Sequence, residues 1–320
     1  MELHTHIPLL EAEHKIGYES RVLLLGSCFV ENIGGKLEYF KFRNLQNPLG
    51  ILYHPLALET LLLRAVEGQK YHSGEIFERQ GIWYCFDAHS QVRALEGEAL
   101  LTLLNQQLTE TKTTLERASH LILPLGTAWV YDHRSSGKTV ANCHKMPQGE
   151  FTKRLLSVGQ IAQSLERILA LVSRVNPGLQ TIFTLSPVRH IRDGIVQNQR
   201  SKAHLIVALH QILDSPGPGP VPPAYFPSYE IVMDGLRDYR FYDRDLVHPN
   251  ALAIDYLWEA FEKSWISPAS KAVMREVDQV QKGLAHRPFN PGTAEHRKFR
   301  EALGEKIVYL QEAYPFMKFE

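Results

Sequence analysis

An apolar run, Val22-Leu23-Leu24-Leu25, stops at Gly26 and is followed at once by Ser27 and Cys28. Either side chain attacks a carbonyl if a neighbouring base takes its proton. Far along the chain, in "YRFYDRDLVHPN", Asp245 precedes His248 by three residues. A carboxylate at that spacing can curl back to one imidazole nitrogen and leave the other facing a hydroxyl. Serine, histidine and aspartate in these roles are the parts of an acyl-transfer site. Each also has a plainer reading. Serine after a strand is a favoured helix N-cap, because its oxygen accepts a backbone N–H. Cysteine one residue on reads as a small apolar filler rather than a rival nucleophile. An Asp-x-x-His spacing arises easily by chance in a chain with 15 histidines. Pro249 improves its context, since proline suits the first helical position and pins one end of the histidine loop.

These side chains meet only if the fold brings them together. Residues 22–27, 119–126 and 179–188 are apolar runs without alternation, the mark of parallel strands buried on both faces. Helical patterns cover 29–39, 51–68, 95–118, 151–177, 197–214 and 251–266. Gly34 and Gly35 weaken the first helix and point to close packing on a sheet. Residues 75–88 and 127–147 read as β-hairpins turning at Gln80-Gly81 and over 135–138. "SPGPGPVPP" is a rigid linker. Alternating strands and helices predict a three-layer α/β/α sandwich around a mostly parallel five-stranded sheet. Residues 1–268 form that domain. Residues 269–320, two charged helical runs around "RPFNPG", form a helical appendage.

In open parallel sheets ligands bind beyond the carboxyl ends of the strands. Those positions hold Gly26-Ser27-Cys28, Asn47 to Gly50, Gly126 to Trp129, Ser186 to His190, and Asp245 to His248. Asn142, His144 and Lys145 in "ANCHK" follow a hairpin and read either as a polar loop or as groups that grip a substrate. His190, with Arg189 and Arg192, reads as a solvated turn or a substrate contact. His4, His6 and His14 lack a carboxylate cluster and read as surface residues, so no metal is expected. No Gly-x-Gly-x-x-Gly spacing or phosphate loop is present, so no dinucleotide or other cofactor is expected.

Composition narrows the classes further. Lysine plus arginine equals aspartate plus glutamate at 35 each, which leaves no basic field for nucleic acid. No apolar run reaches the ~18 residues of a membrane span. The first 20 residues lack a secretion signal, and the three cysteines, Cys28, Cys85 and Cys143, read as reduced thiols. A cytoplasmic location is expected.

Taken together, "GSCFVENIG", "NPLGILYHP", "LPLGTAWVY", "NCHKMP", "TLSPVRHIRDG", "NQRSKAHL" and "YRFYDRDLVHPN" resemble the GSCFA-domain family of bacterial proteins. The resemblance runs over about residues 20–265, with Val30 in place of the final alanine of the naming motif. That family is placed with SGNH (GDSL-like) hydrolases, three-layer esterases and lipases. The resemblance implies Ser27 as nucleophile and Asp245 and His248 as its partners. It implies backbone N–H groups of Ser27 and Gly50 as oxyanion donors. The third block of such enzymes carries an asparagine where this chain has Ala128. Asn142 is then the candidate replacement donor. A missing donor slows such an enzyme by about 100- to 1,000-fold. Asn47, His144, Lys145 and His190 are the candidate substrate contacts. The expected activity is hydrolysis of an acyl ester, on a small molecule or a glycan. Transfer of the acyl group and a non-catalytic binding role are the alternatives, and nothing in the sequence fixes an oligomeric state.

Overall fold

The computed structural model describes residues 5–215 and 217–319. His4 lies outside the described residues. The central sheet has five parallel strands in the order β10-β9-β5-β1-β2, formed by β1 (Arg21–Leu24), β2 (Arg43–Gln46), β5 (His120–Leu125), β9 (Gln180–Leu185) and β10 (Ala224–Phe226). Between β1 and β2 runs α1 (Phe29–Tyr39), and between β2 and β5 run α2 (Pro55–Glu67) and α3 (Gly97–Arg117). The hairpin β3 (Ile76–Arg79) and β4 (Ile82–Cys85) is inserted between α2 and α3.

The strand residues sort by period two. Leu23, Leu25, Leu121, Leu123 and Phe183 pack with α2, α3, α4 (Val158–Val175) and α5 (Ile195–Leu213) on one face. Val22, Leu24, Ile122 and Ile182 pack with α1, α7 (Ala251–Trp265) and α8 (Ser270–Ala285) on the other. The result is the expected three-layer arrangement. After β10 the short α6 (Ser228–Glu230) continues into a π-helical turn over Ile231–Leu236. The C-terminal helices α8 and α9 (Ala294–Ala313) contribute Met274, Val277, Val280, Leu303 and Leu310 to the second core.

One element differs in kind. Residues 151–155, read as the start of a helix, form strand β8 (Phe151–Leu155), antiparallel to β6 (Trp129–His133), which also pairs with β7 (Thr139–Val140). The helix behind it starts only at Val158, where Ser157 and Gln160 make a reciprocal capping box. Pairing with an available strand edge outweighs the helical pattern of so short a segment.

Gly34 and Gly26 show how closely the layers approach. A Cβ on Gly34 would sit 2.2 Å from Gln46 Oε1, which gives the expected close packing of α1 on β2. Gly26 has φ of +155°, and a Cβ there would lie 2.5 Å from the Pro124 carbonyl oxygen. That oxygen belongs to a sheet strand and cannot move aside. Gly26→Ala is expected to destabilise the fold by about 2 kcal/mol or more. The check is the urea midpoint, and a loss below about 0.5 kcal/mol, the scale of ordinary surface substitutions, would contradict the packing argument.

Candidate active site

The strand order places β2 and β5 on opposite sides of β1. The connections leaving β1 and β5 therefore diverge, and a crevice opens between their carboxyl ends. Ser27 follows β1 and Gly126 follows β5, so both sit at that crevice. The ladder continues past the end of β1: Leu25 N–H donates to the Ile122 carbonyl at 3.0 Å and Ser27 N–H to the Pro124 carbonyl at 3.2 Å. Gly26 N–H donates to Asn47 Oδ1 at 2.8 Å. Ser27 is wholly buried, and its Oγ accepts the Phe29 N–H at 3.4 Å, a weak version of the cap.

Tyr53 closes one side. Its carbonyl accepts N–H groups from both Gly126 and Thr127 at 2.9 Å. The position of a Gly126 Cβ is 3.3 Å from both Tyr53 Cδ1 and Ser27 Cβ, so the ring edge and the serine share one small volume. His190 stands edge-on to the Tyr53 ring at 5.2 Å. Its imidazole is pushed down to about 4, first by burial, then by the Lys202 ammonium and His248, against the Asp193 carboxylate. His190 is thus within electrostatic reach of both Lys202 and His248.

Asp245 and His248 are brought together as a pair. His248 Nδ1 lies 2.6 Å from Asp245 Oδ2, while Asp245 Oδ1 accepts the N–H groups of Val247 and His248 at 2.9 and 3.0 Å. These bonds, the His248 backbone first, hold the Asp245 carboxyl down at about 2. The expected contact between His248 and Ser27 is not made: among the described residues no hydrogen bond joins them. The physical reason is placement, since the histidine side chain is half exposed on its loop and the serine is buried under Gly126.

Two of the expected oxyanion donors, the backbone N–H groups of Ser27 and Gly50, are engaged elsewhere. The Ser27 N–H extends the sheet, and the Gly50 N–H donates to the Asn47 carbonyl at 2.7 Å within a tight turn. Asn142 Oδ1 accepts from Ser90 Oγ at 3.1 Å and from the His144 N–H at 2.7 Å, so this side chain organises its own loop. His144 is buried rather than presented to a substrate: Nε2 bonds the Cys85 carbonyl at 2.7 Å, and burial lowers its pKa to about 4. Lys145 is exposed beside it, with φ of +56°. Ala128 is fully buried, its N–H donating to Ser201 Oγ at 2.7 Å.

Two further groups stand at the crevice: Asn47, expected as a substrate contact, and Lys202, to which the sequence reading gave no role. Asn47 Nδ2 is buried with no hydrogen-bond partner, and its Oδ1 is fixed by Gly26, the residue before Ser27. Lys202 is wholly buried, and Nζ donates to the carbonyls of Gly126 at 2.7 Å and Ser186 at 2.6 Å, the residues just after β5 and β9. Burial brings its pKa down to about 7, with Cys28 opposing and Arg189 adding to the shift. The signal was in the α5 pattern: Asn198, Ser201 and Lys202 occupy the buried face that Leu205, Ala208 and Leu209 continue. Polar residues on a core face require partners, and these sit at the strand ends. Cys28 is partly exposed, and burial followed by Glu31 raises its thiol, with Lys202 opposing, so it is held away from the reactive thiolate.

Among the described residues no group of three or more His, Cys, Asp and Glu is placed to hold a metal ion, and no helix is long and apolar enough to cross a membrane. A cleft of about 700 Å³ lies between α8 and α9, lined by His286, Phe289, His296 and Phe299 among others, away from the strand ends.

The chain is thus a doubly wound α/β domain with Ser27 at its switch-point crevice and the Asp245–His248 pair on a separate loop. Residues 21–261 match the GSCFA family, and residues 277–320 match the GSCFA domain protein, C-terminal domain. The chain belongs to the GSCFA family. A search of the curated proteins finds no match.

Buried histidines give this chain a specific acid response. His54, His120, His144 and His190 are each lowered to about 4, mainly by burial. Their unfolded value is near 6.5, so between 6.5 and 4 the unfolded chain binds more protons. Their contribution is complete above pH 6.5 and is lost as pH falls through 4. The urea midpoint is expected to drop steadily from pH 6.5 to 4.5; a flat midpoint over that window would contradict it.

Proposed function

We propose that the chain is a serine hydrolase of acyl esters. The reading rests on the Asp245–His248 pair, hydrogen-bonded at 2.6 Å, on the loop whose Tyr242 shares the Met233 sulfur with Arg189 of the β9 end. The resemblance of its motifs to SGNH hydrolases supports the same roles. In this reading the loop carrying His248 closes toward the crevice when substrate enters, and the Tyr53–His190 pair shifts to admit it. Apo hydrogen bonds in such sites are often unmade until substrate binds.

The steps then follow. Ser27 Oγ attacks the ester carbonyl carbon while its proton passes to His248 Nε2. Asp245 holds the Nδ1–H and stabilises the imidazolium. The carbonyl π electrons move to oxygen, giving a tetrahedral oxyanion. As it collapses, the ester C–O bond breaks and the leaving alkoxide takes the proton from His248. Water then repeats the sequence on the acyl-serine and releases the acid.

The oxyanion needs donors that are not already committed. Asn47 Nδ2 is such a donor, anchored through Gly26 next to the nucleophile. We assign it the role that Ala128 cannot fill, in preference to Asn142. The N-terminal turn of α1 adds the positive end of its dipole.

The closed position of Ser27 also supports a second reading, a binding protein on the same fold. Turnover of 4-nitrophenyl acetate separates the two. Wild type and Cys28→Ala are expected to hydrolyse it, while Ser27→Ala and His248→Ala fall to background. Asn47→Ala is expected to lose about 100- to 1,000-fold in kcat, with Asn142→Ala close to wild type. Equal rates in wild type, Ser27→Ala and His248→Ala would dispose of the hydrolase reading.

A further inference from the structure

The charges around the crevice do not balance. Arg189 is half-buried, and among the described residues the only hydrogen bond of its guanidinium is to the thioether of Met233, at 3.2 Å. Thioether sulfur is a weak acceptor. Among the described residues neither Arg189 nor Arg192 forms an ion pair. Lys202 donates to two carbonyls and lies 6.0 Å from the centre of the Tyr229 ring, with no carboxylate partner among the described residues. The nearby carboxylates are committed: Asp193 to Lys153 and Asp245 to His248. Glu31 stands on the side of Cys28 and Tyr53 and is exposed.

A neutral donor is left over at the same place. Asn198 is 2% exposed; its Oδ1 accepts the His190 N–H at 2.9 Å, and its Nδ2 has no partner. It lies one helical turn before Lys202 on α5. A buried amide N–H is costly to leave without an acceptor. A buried ammonium held by carbonyls alone still lacks a counter-charge. An amide donor without an acceptor and two cations without a carboxylate partner among the described residues thus stand around His190. What would satisfy them together is an anion.

We propose that Arg189 and Asn198, backed by the Lys202 charge, form an anion-binding subsite beside Ser27. Combined with the hydrolase reading, on which this part rests, the substrate is an ester carrying a carboxylate or a phosphate group. Arg189 and Asn198 Nδ2 bond the anionic oxygens. Lys202 holds the ends of β5 and β9 and supplies the field from behind. The subsite orients the ester so that its carbonyl lies against Ser27.

Two measurements on the full-length protein test this separately from the hydrolase reading. The first is the thermal midpoint at fixed ionic strength, with chloride replaced by phosphate or by succinate. One of the two is expected to raise the wild-type midpoint saturably, which also tells phosphate from carboxylate, and Arg189→Gln is expected to lose at least half of that rise. No anion-specific rise, or an equal rise in Arg189→Gln, overturns the subsite. Arg297→Gln, on α9 far from the crevice, serves as the charge-matched control and is expected to keep the wild-type rise. The second measurement compares kcat/KM for mono-4-nitrophenyl succinate and 4-nitrophenyl butyrate. A preference of about tenfold for the anionic ester, equivalent to 1.4 kcal/mol, is expected if carboxylate is the preferred anion, falling toward one in Arg189→Gln. If neither ester is hydrolysed while the midpoint shift is present and sensitive to Arg189, the hydrolase reading falls and the anion site stands. If esters are hydrolysed but neither anion shifts the midpoint, the anion site falls and the hydrolase reading stands.

Discussion

The carboxyl edge of the parallel sheet is held by side chains bonding backbone groups that the strands leave unpaired. Asn47 Oδ1 takes the Gly26 N–H at the end of β1. Lys202 Nζ bridges the carbonyls after β5 and β9. Ser201 Oγ takes the Ala128 N–H, and Ser228 Oγ donates to the Leu185 carbonyl. Strand ends carry orphaned polar groups, and burying them unpaired costs more than most single contacts contribute. Stitching them with side chains lets the edge stay dry and rigid without extending the sheet. A crevice can then be cut into it at the switch point. Gly26, Ser27 and Gly126 could not approach as they do if these groups had to reach water.

The same stitching sets the electrostatics. A wholly buried lysine is tolerated because two carbonyl oxygens accept from it, yet carbonyls neutralise no charge. Its field therefore extends to its neighbours. His190 is kept neutral partly by it, and Cys28 is drawn back toward its ordinary value by it, though burial prevails. Negative charge appearing at this edge meets a preorganised positive field, while positive charge there is penalised. That asymmetry favours chemistry in which an oxyanion develops.

Much of this framework was legible in the sequence, for definite reasons. The run Val22 to Leu25 has no alternation because both faces of β1 are covered, Leu23 and Leu25 by one core and Val22 and Leu24 by the other. Gly34 marked a close approach that Gln46 fills. Asp245 and His248 were readable as a pair because three residues is a local distance. Contacts that depend on distant elements were harder to see. Phe151–Leu155 looked helical because its partner edge, β6, lies 20 residues away and the strand is short. His144 looked available because a polar loop sequence does not reveal that the β3–β4 hairpin covers it. Gly50 was expected to offer its N–H, but the Asn47 turn turns that group inward. Lys202 and Asn198 were hidden inside an ordinary amphipathic helix, where only their phase relative to Leu205 betrays them.

The C-terminal helices bear on the crevice although they lie away from it. Ser27 lies two residues before the start of α1, so the serine is only as fixed as that helix. Its start is tied through Gly26 to Asn47. Its far end is tied to α8: Tyr39 Oη donates to Asp278 at 2.8 Å and Gln281 Nε2 donates to the Tyr39 carbonyl at 3.0 Å. Lys36 pairs with Asp255 of α7 at 2.5 Å, and Ile33 and Leu37 share a core with Leu257, Met274 and Val277. Next to α1, the Arg43 guanidinium of β2 lies 3.9 Å from the centre of the Phe316 ring. A helix pinned at both ends transmits little rotation to its first turn. The appendage thus holds the serine's helix from behind.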